Sequence, residues 1–500
     1  MNRLGKILSA RFDYATSSRT SLLARFWGFS GFYVVSTLAT RFGFFGLLLV
    51  YWRYLRPGDF GIVAVAEIVS MGLQVVLTGC LEAVVIRFYH EWKAEERPGR
   101  LGALWAAGLV GSAMLAAVAY VLGRLFWDRV MVSVPYRPYL ELAVATGFAQ
   151  SLTNIPVALT RIRERFILIG AAQVLTLVGQ AAAGVLFVVV LGWGAAGALT
   201  AALVTQTLSG LVWSVYMTRQ VRWSWSVDHL RIALAFSLPL VPATVFGLVC
   251  ASCDRYFLSR TADLAAIGLY AVALRFASVV TEANQALREA WTPFVIRLVQ
   301  QRPDGVQVAG RMAKYYVSAT AFIVVAVILL SGEALRGLAP EAYESANRYV
   351  PLLTVAAGVD VLNKMAGVGF SLASRSRLFA ALSLFETILT VALVGVLTDR
   401  WGPIGTAWAV LLSRGIGAAV RFFSAVRVLP IPYEYGRMLG VLASAAAACA
   451  GSALVPPSPL LRAVLWKVAL LGAAAAMFLP FLELKGLWSR IRPEPLSLDR

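Results

Sequence analysis

Apolar and polar positions in this chain fall in blocks rather than in the short alternation of a soluble fold. Apolar stretches of about twenty residues, the length that crosses a ~30 Å hydrocarbon core, are separated by short bursts of charge. They predict fourteen transmembrane helices, roughly at 27–51, 60–86, 101–123, 139–160, 166–191, 195–217, 232–257, 265–296, 313–331, 349–372, 378–398, 402–425, 436–455 and 461–482. The eighth is long enough to tilt or to extend into water. The connections run to roughly five to twenty residues, so nothing outside the membrane can fold alone. Pro156, Pro239, Pro242 and Pro293 lie inside spans, where neighbouring helices re-satisfy freed backbone groups. The expected fold is all-α and polytopic. Residues 1–25 are polar and basic with no cleavage pattern, so the first span reads as a retained anchor.

Composition agrees: 59% of residues are hydrophobic and 14% charged, with a mean hydropathy of +0.74. The net charge of +19 needs a separate account. With the N-terminus placed in the cytoplasm, the inside segments hold 28 Lys and Arg and the outside loops 12. That bias puts both termini inside. The basic residues are scattered over eight inside segments with no basic module, which argues for topology and contact with membrane lipid, and against nucleic acid. Cys80, Cys250, Cys253 and Cys449 all fall in expected spans, and His90 and His229 are the only histidines. Small packing residues are the better reading of the cysteines. Cys250-x-x-Cys253 is flanked by apolar residues with no second pair, and no catalytic motif or nucleotide loop is present, so neither an enzyme nor a cofactor or metal is expected.

The chain repeats itself. Trp193-Gly194 with Gly197 and Ala201 is answered by Trp401-Gly402 with Gly405 and Ala409, at an offset of 208. Arg163, Arg165 and Phe166 are answered by Arg375, Arg377 and Leu378, and Val85-Ile86-Arg87 by Val295-Ile296-Arg297. Gly61 is answered by Gly268, and Arg53-Tyr54 by Arg255-Tyr256. Six spans separate equivalent points, so the copies are parallel repeats about an axis along the membrane normal. The expected organisation is a cytoplasmic N-terminus (1–25), an N-lobe of spans 1–6 (26–225), a C-lobe of spans 7–12 (226–430), two further helices (431–484) and a cytoplasmic tail (485–500). Two such lobes suit an alternating-access transporter.

Polar residues inside spans are costly unless they face a cavity or find a partner. On the eighth span Arg275, Ser278, Glu282, Gln285 and Glu289 fall within roughly 80° of arc, and on the second Glu67, Ser70, Gln74, Thr78 and Glu82 within roughly 120°. These stripes are the candidate cavity lining, and Glu67, Glu282 and Asp360 are candidates for ion coupling. Lys364 lies one turn after Asp360, which favours an internal ion pair. Arg41, in the outer half of the first span, has no acidic residue within a turn and is a candidate anion binder. Arg414 is expected to snorkel from the twelfth span.

On Arg56-Pro57-Gly58-Asp59-Phe60-Gly61, Asp254-Arg255-Tyr256-Phe257-Leu258, Gly268-Leu269-Tyr270-Ala271 and the two Gly-x-x-Gly starts of spans six and twelve, the chain resembles the multidrug/oligosaccharidyl-lipid/polysaccharide exporter superfamily. Within it, the resemblance is to bacterial polysaccharide-biosynthesis oligosaccharide flippases. The resemblance implies an inner-membrane transporter that moves a polyprenyl-diphosphate-linked oligosaccharide from the cytoplasmic to the periplasmic leaflet. The product would serve O-antigen, capsule or exopolysaccharide synthesis, with the polymerase and glycosyltransferase machinery as candidate partners. Arg41, Arg255 and Arg275 are the candidate diphosphate holders, because a guanidinium grips phosphate bidentately. Related lipid II flippases carry a functional arginine in the first span and two extra C-terminal helices, which Arg41 and spans 13–14 match. The carboxylates of the stripes depart from a purely cationic cavity. Alternatives are a lipid II flippase and a drug/cation antiporter of the same superfamily, against which the fourteen spans and in-span arginines argue. Short outer loops argue against a glycan polymerase or ligase.

Overall fold

In the computed structural model the described residues are 43, 45–130, 134–223, 227–373, 375–451 and 460–482. Among them regular structure is helical throughout, as it must be where no water can satisfy the backbone. In chain order the helices are α1 (45–54), α2 (Pro57–Thr78), α3 (Leu81–Phe88), α4 (Arg97–Val130), α5 (Glu141–Ile162), α6 (Phe166–Gly184, continuing as a wider π-helical coil through Val185–Val190) and α7 (Gly194–Thr218). Then come α8 (Val227–Ser237), α9 (Leu240–Thr261), α10 (Leu264–Gln301), α11 (Gly305–Leu338), α12 (Val350–Leu372), α13 (Ser376–Val428), α14 (Tyr435–Gly451) and α15 (Leu460–Leu482).

Eleven helices among the described residues are long and apolar enough to cross a membrane. Three expected spans are not counted separately, each for a visible reason. The first falls largely on residues 1–42, outside the described residues, and Arg41 lies outside them too. The eleventh and twelfth run together in α13 across a kink at Gly402, whose φ of 58° and ψ of −144° only glycine adopts readily. The thirteenth, α14, has 17 described helical residues. Two other expected spans are interrupted. Gly79 and Cys80 both take left-handed φ (53° and 56°), splitting the second into α2 and α3. The seventh breaks at Leu238-Pro239, between α8 and α9.

The chain divides into two compact units, Met1–Leu55 with Val65–Val245 and Arg56–Ala64 with Phe246–Arg500. In the first, Leu81, Val85, Trp105, Leu159 and Met217 form a core at the α3 end of the unit, joined by Ala233 of α8. Small residues bring helices together: a Cβ on Gly147 would lie 2.9 Å from the Ser70 carbonyl, and one on Gly210 3.0 Å from that of Ala149. Leu175, Leu186, Val190, Leu208 and Val212 stay exposed on α6, its extension and α7, as faces meant for lipid do. In the second unit, α14 and α15 pack on α11 through Ala445, Ala448, Ala474 and Phe478, and Lys467 Nζ lies 2.7 Å from Glu333 Oε1 within that seam.

The repeat is visible as local geometry. After α5, Arg165 N–H donates to the Thr160 carbonyl at 3.1 Å; after α12, Arg375 N–H donates to the Phe370 carbonyl at 2.9 Å. A Cβ on Gly197 would meet the Phe187 carbonyl at 2.7 Å and the Trp193 Cβ at 3.1 Å; one on Gly405 would meet the Leu397 carbonyl at 2.0 Å and the Trp401 Cβ at 2.8 Å. Trp193-Gly194 and Trp401-Gly402 therefore mark the same tight hairpin, built twice.

The Arg56–Gly61 motif opens α2 inside the second unit. Asp59 caps its first turn, accepting from Arg56 N–H at 3.3 Å. The head of α2 then crosses the head of α10 glycine to glycine. A Cβ on Gly61 would lie 2.2 Å from the Leu264 carbonyl, and one on Gly268 1.8 Å from the Pro57 carbonyl. Each glycine thus meets the carbonyl four residues before the other, a reciprocal contact between repeat-equivalent positions. Tyr343, buried in the Glu341–Arg348 turn, lies within electrostatic reach of Asp59; burial first, and that carboxylate second, push its phenol up.

Candidate functional site

The first unit holds the α2 stripe. Ser70 and Thr78 are buried and spend their hydroxyls on backbone: Ser70 Oγ is 2.9 Å from the Ala66 carbonyl and 3.0 Å from that of Ala143 on α5, and Thr78 Oγ1 donates to the Val75 carbonyl at 3.2 Å. Gln74 Nε2 donates to Asn154 Oδ1 at 3.0 Å, tying α2 to α5. Glu67 is half-buried. Glu82 does not continue the stripe, because the left-handed Gly79–Cys80 step breaks the 100° progression before it. It stands on α3 with Oε2 buried.

Among the described residues, the second unit holds most of the charge in the expected spans. On α10, Ser278 Oγ donates to the Arg275 carbonyl at 2.6 Å, one turn back. Gln285 takes Arg288 Nε at 3.1 Å on its Oε1 and faces Glu289 Oε1 at 3.3 Å through its Nε2. Arg275, Glu282, Gln285 and Arg288 are half-buried and Glu289 is exposed. Asn284 lies beside this row but faces the unit's interior. Its Nδ2 donates to the Ala357 carbonyl of α12 at 3.1 Å, and Thr320 Oγ1 of α11 donates to its Oδ1 at 2.7 Å. Tyr316 Oη donates to the Asn284 carbonyl at 3.2 Å. One buried amide therefore pins three helices behind the α10 stripe.

On α12, Lys364 Nζ sits 3.0 Å from Asp360 Oδ2, the ion pair its spacing predicts, and Asn363 Nδ2 donates to Asp360 Oδ1 at 3.1 Å. Asp360 and Arg288 both lie within electrostatic reach of Tyr316, and Arg421 within that of Asp360. Arg421 falls near the end of the twelfth expected span, 402–425. Helix α13 extends to Val428, so Arg421 is buried inside it and pairs with Glu386 across the hairpin. The pair joins residues 35 positions apart, a distance no helical periodicity reports.

Arg255 is placed by its own motif. Asp254, 5% exposed, accepts the Arg255 N–H at 2.8 Å and the Tyr270 hydroxyl at 3.0 Å, while Arg255 Nε is 3.7 Å from Asp254 Oδ1. Arg414 also lies within electrostatic reach of the fully buried Tyr270, which sets it beside the Asp254–Arg255 motif. The second unit thus offers arginines on α9, α10 and α13, several held by carboxylates, in segments expected to lie in the bilayer. Such an array can hold an anion by exchanging internal carboxylate partners for it.

A family model described as polysaccharide biosynthesis protein matches residues 50–335. None of the curated proteins matches the chain. Among solved structures, the lipid II flippase MurJ in an inward closed conformation superposes with a TM-score of 0.74 at 13% identity, covering 92% of this chain and 99% of that one. An inward-facing multidrug resistance MATE family transporter of the MOP superfamily gives 0.62 at 16% identity, over 79% of this chain and 95% of that one. The Vibrio cholerae MATE transporter VcmN in its bent form gives 0.51 at 16% identity, over 84% and 100%. At these identities the likeness is one of fold, and the fold is that of MOP-superfamily transporters.

Proposed function

Because the chain belongs to the polysaccharide biosynthesis protein family, and is a multi-pass membrane protein with the MOP transporter fold, we propose that it flips a polyprenyl-diphosphate-linked oligosaccharide across the bacterial inner membrane. The observation that carries the substrate class is the concentration of arginines in the second unit's membrane segments. A diphosphate repays the desolvation of such cations, and the Gln74 and Gln285 amides can exchange their present side-chain partners for sugar hydroxyls. Arg41, Arg255 and Arg275 hold the diphosphate; Glu67, Ser70, Gln74, Thr78, Glu282, Gln285 and Glu289 line its path; Glu67, Glu282 and Asp360 are the groups for any coupling ion. Both termini face the cytoplasm, and glycan polymerase and glycosyltransferases act on either side of the step.

The test is reconstitution. A lipid-linked oligosaccharide labelled on its sugar is placed in sealed vesicles, and label accessible to an external, membrane-impermeant glycosidase is followed in time. Protein-containing vesicles are expected to expose the protected pool, and Arg275→Ala protein not to. Equal exposure in empty and protein-containing vesicles would refute the proposal.

A further inference from the structure

Within the first unit, the break between α2 and α3 opens a cavity of about 480 Å³, in the size range of small-molecule sites. Val76, Leu77 and Leu81 form one wall, Val110 and Met114 of α4 another, and Leu234 of α8 closes the third. Thr78 is the one polar side chain in this lining, and its hydroxyl is turned to the Val75 carbonyl. Gly79 and Gly111 both line the space, and a Cβ at either would meet nothing within 4 Å. Beside the cavity, Cys80 Sγ meets Thr244 Oγ1 at 3.5 Å, while Phe88 stacks edge-on against Phe236 with centroids 5.2 Å apart. The result is a slot between α2/α3 and α8/α9, floored by α4 and walled by aliphatic side chains.

A cation adjoins the α8 wall of the slot. Leu230, Leu234 and Leu238 line it at four-residue spacing, and Arg231 follows directly on the first of them, about 60° around α8 from Leu234 and exposed. Arg87, on α3, is already paired with Glu91. An aliphatic slot with an exposed guanidinium beside its α8 wall complements an anionic head on a long apolar chain. Two features favour a methyl-branched chain: the width left at two glycines and the pliable Met114 thioether.

We propose that this slot holds the head-proximal isoprene units of a prenyl diphosphate, with Arg231 facing the diphosphate. The assignment rests on the proposed flippase function and adds to it a tail-binding site in the first unit. It makes chain length, as well as the glycan, a determinant of recognition.

The probe is farnesyl diphosphate carrying a diazirine, photolysed with the full-length protein in phosphatidylcholine vesicles and mapped by mass spectrometry. Label is expected on slot residues such as Met114 and Leu234, competed by geranylgeranyl diphosphate and not by isopentenyl diphosphate. Gly111→Trp, which fills the slot from a position with open space, removes that label. Arg231→Ala raises the farnesyl diphosphate needed by about tenfold, the worth of one charge-assisted contact, while labelling by the corresponding diazirine farnesol is unchanged. Saturable label confined to other segments would overturn the slot and leave the flippase reading standing. Competition by phosphatidylglycerol equal to that by geranylgeranyl diphosphate would overturn it as well, making the slot a phospholipid site. Saturable labelling nowhere would refute the prenyl-diphosphate reading and the slot together.

Discussion

Gly268→Ala puts a methyl group 1.8 Å from the Pro57 carbonyl oxygen. Ordinary contact begins at 3.4 Å, so the heads of α2 and α10 must part by about 1.6 Å, and the atom in the way is backbone that cannot rotate aside. Gly61→Ala, at 2.2 Å from the Leu264 carbonyl, demands about 1.2 Å. Overpacking of this kind costs about 1–3 kcal/mol or more. It outweighs the ~1 kcal/mol that alanine gains over glycine in a helix. Both clashes are relieved by the same displacement, so the double variant should cost little more than Gly268→Ala alone. The expected coupling is sub-additive by about 1 kcal/mol or more. The assay is the fraction of detergent-purified protein that stays monodisperse after heating. Gly415→Ala and Gly472→Ala serve as controls, since a Cβ there meets nothing within 4 Å. The expected order of melting is controls at or above the parent, then Gly61→Ala, then Gly268→Ala with the double variant beside it. A Gly268→Ala protein that melts with the controls, or a double variant whose loss is the full sum, would refute the crossing.

Lys467→Leu should destabilise by about 3 kcal/mol, because it leaves the buried Glu333 carboxylate with only the longer contact to Arg336 at 3.8 Å, and adding Glu333→Leu should restore much of that loss; thermal melts of both variants check it. Arg421→Ala should destabilise more than Arg421→Ala with Glu386→Gln, by the same reasoning and the same measurement. In the reconstituted export assay, Arg41→Ala and Arg275→Ala should abolish flipping at normal membrane abundance, and Arg→Lys should recover part of it, because charge survives while the bidentate fork does not. A cysteine at Gln285 should react with a small hydrophilic thiol reagent while one at the buried Asn284 stays protected; equal protection would mean that the α10 stripe is closed to water.

What could be read from the sequence was what repeats at short range. Helix length follows from the apolar blocks, and Asp360–Lys364 and Gln285–Glu289 follow from one helical turn. The duplication was legible in Trp193-Gly194 and Trp401-Gly402, because the same hairpin needs the same residues. What could not be read was where a helix stops within an apolar block and what meets across helices. Gly79 followed by Cys80 looks like any small-residue pair in a span, yet its left-handed step removes Glu82 from the α2 stripe. Asn284 reads as one more polar residue on α10 until the carbonyl of Ala357 and the hydroxyl of Thr320 are seen to claim its amide. Glu386–Arg421 and Glu333–Lys467 depend on hairpins and docking, which local spacing does not encode.

The two units have traded sequence. Residues 56–64, at the head of the second span of the first repeat, belong to the second unit, while 227–245, which open the second repeat, belong to the first, where Ala233 is 2% exposed in the core beside Val85 and Trp105. Neither half of the duplicated sequence therefore encodes a self-sufficient body. Fragments cut near residue 225 should accordingly misfold when made separately and recover only when made together, as the two chains of an obligate heterodimer do.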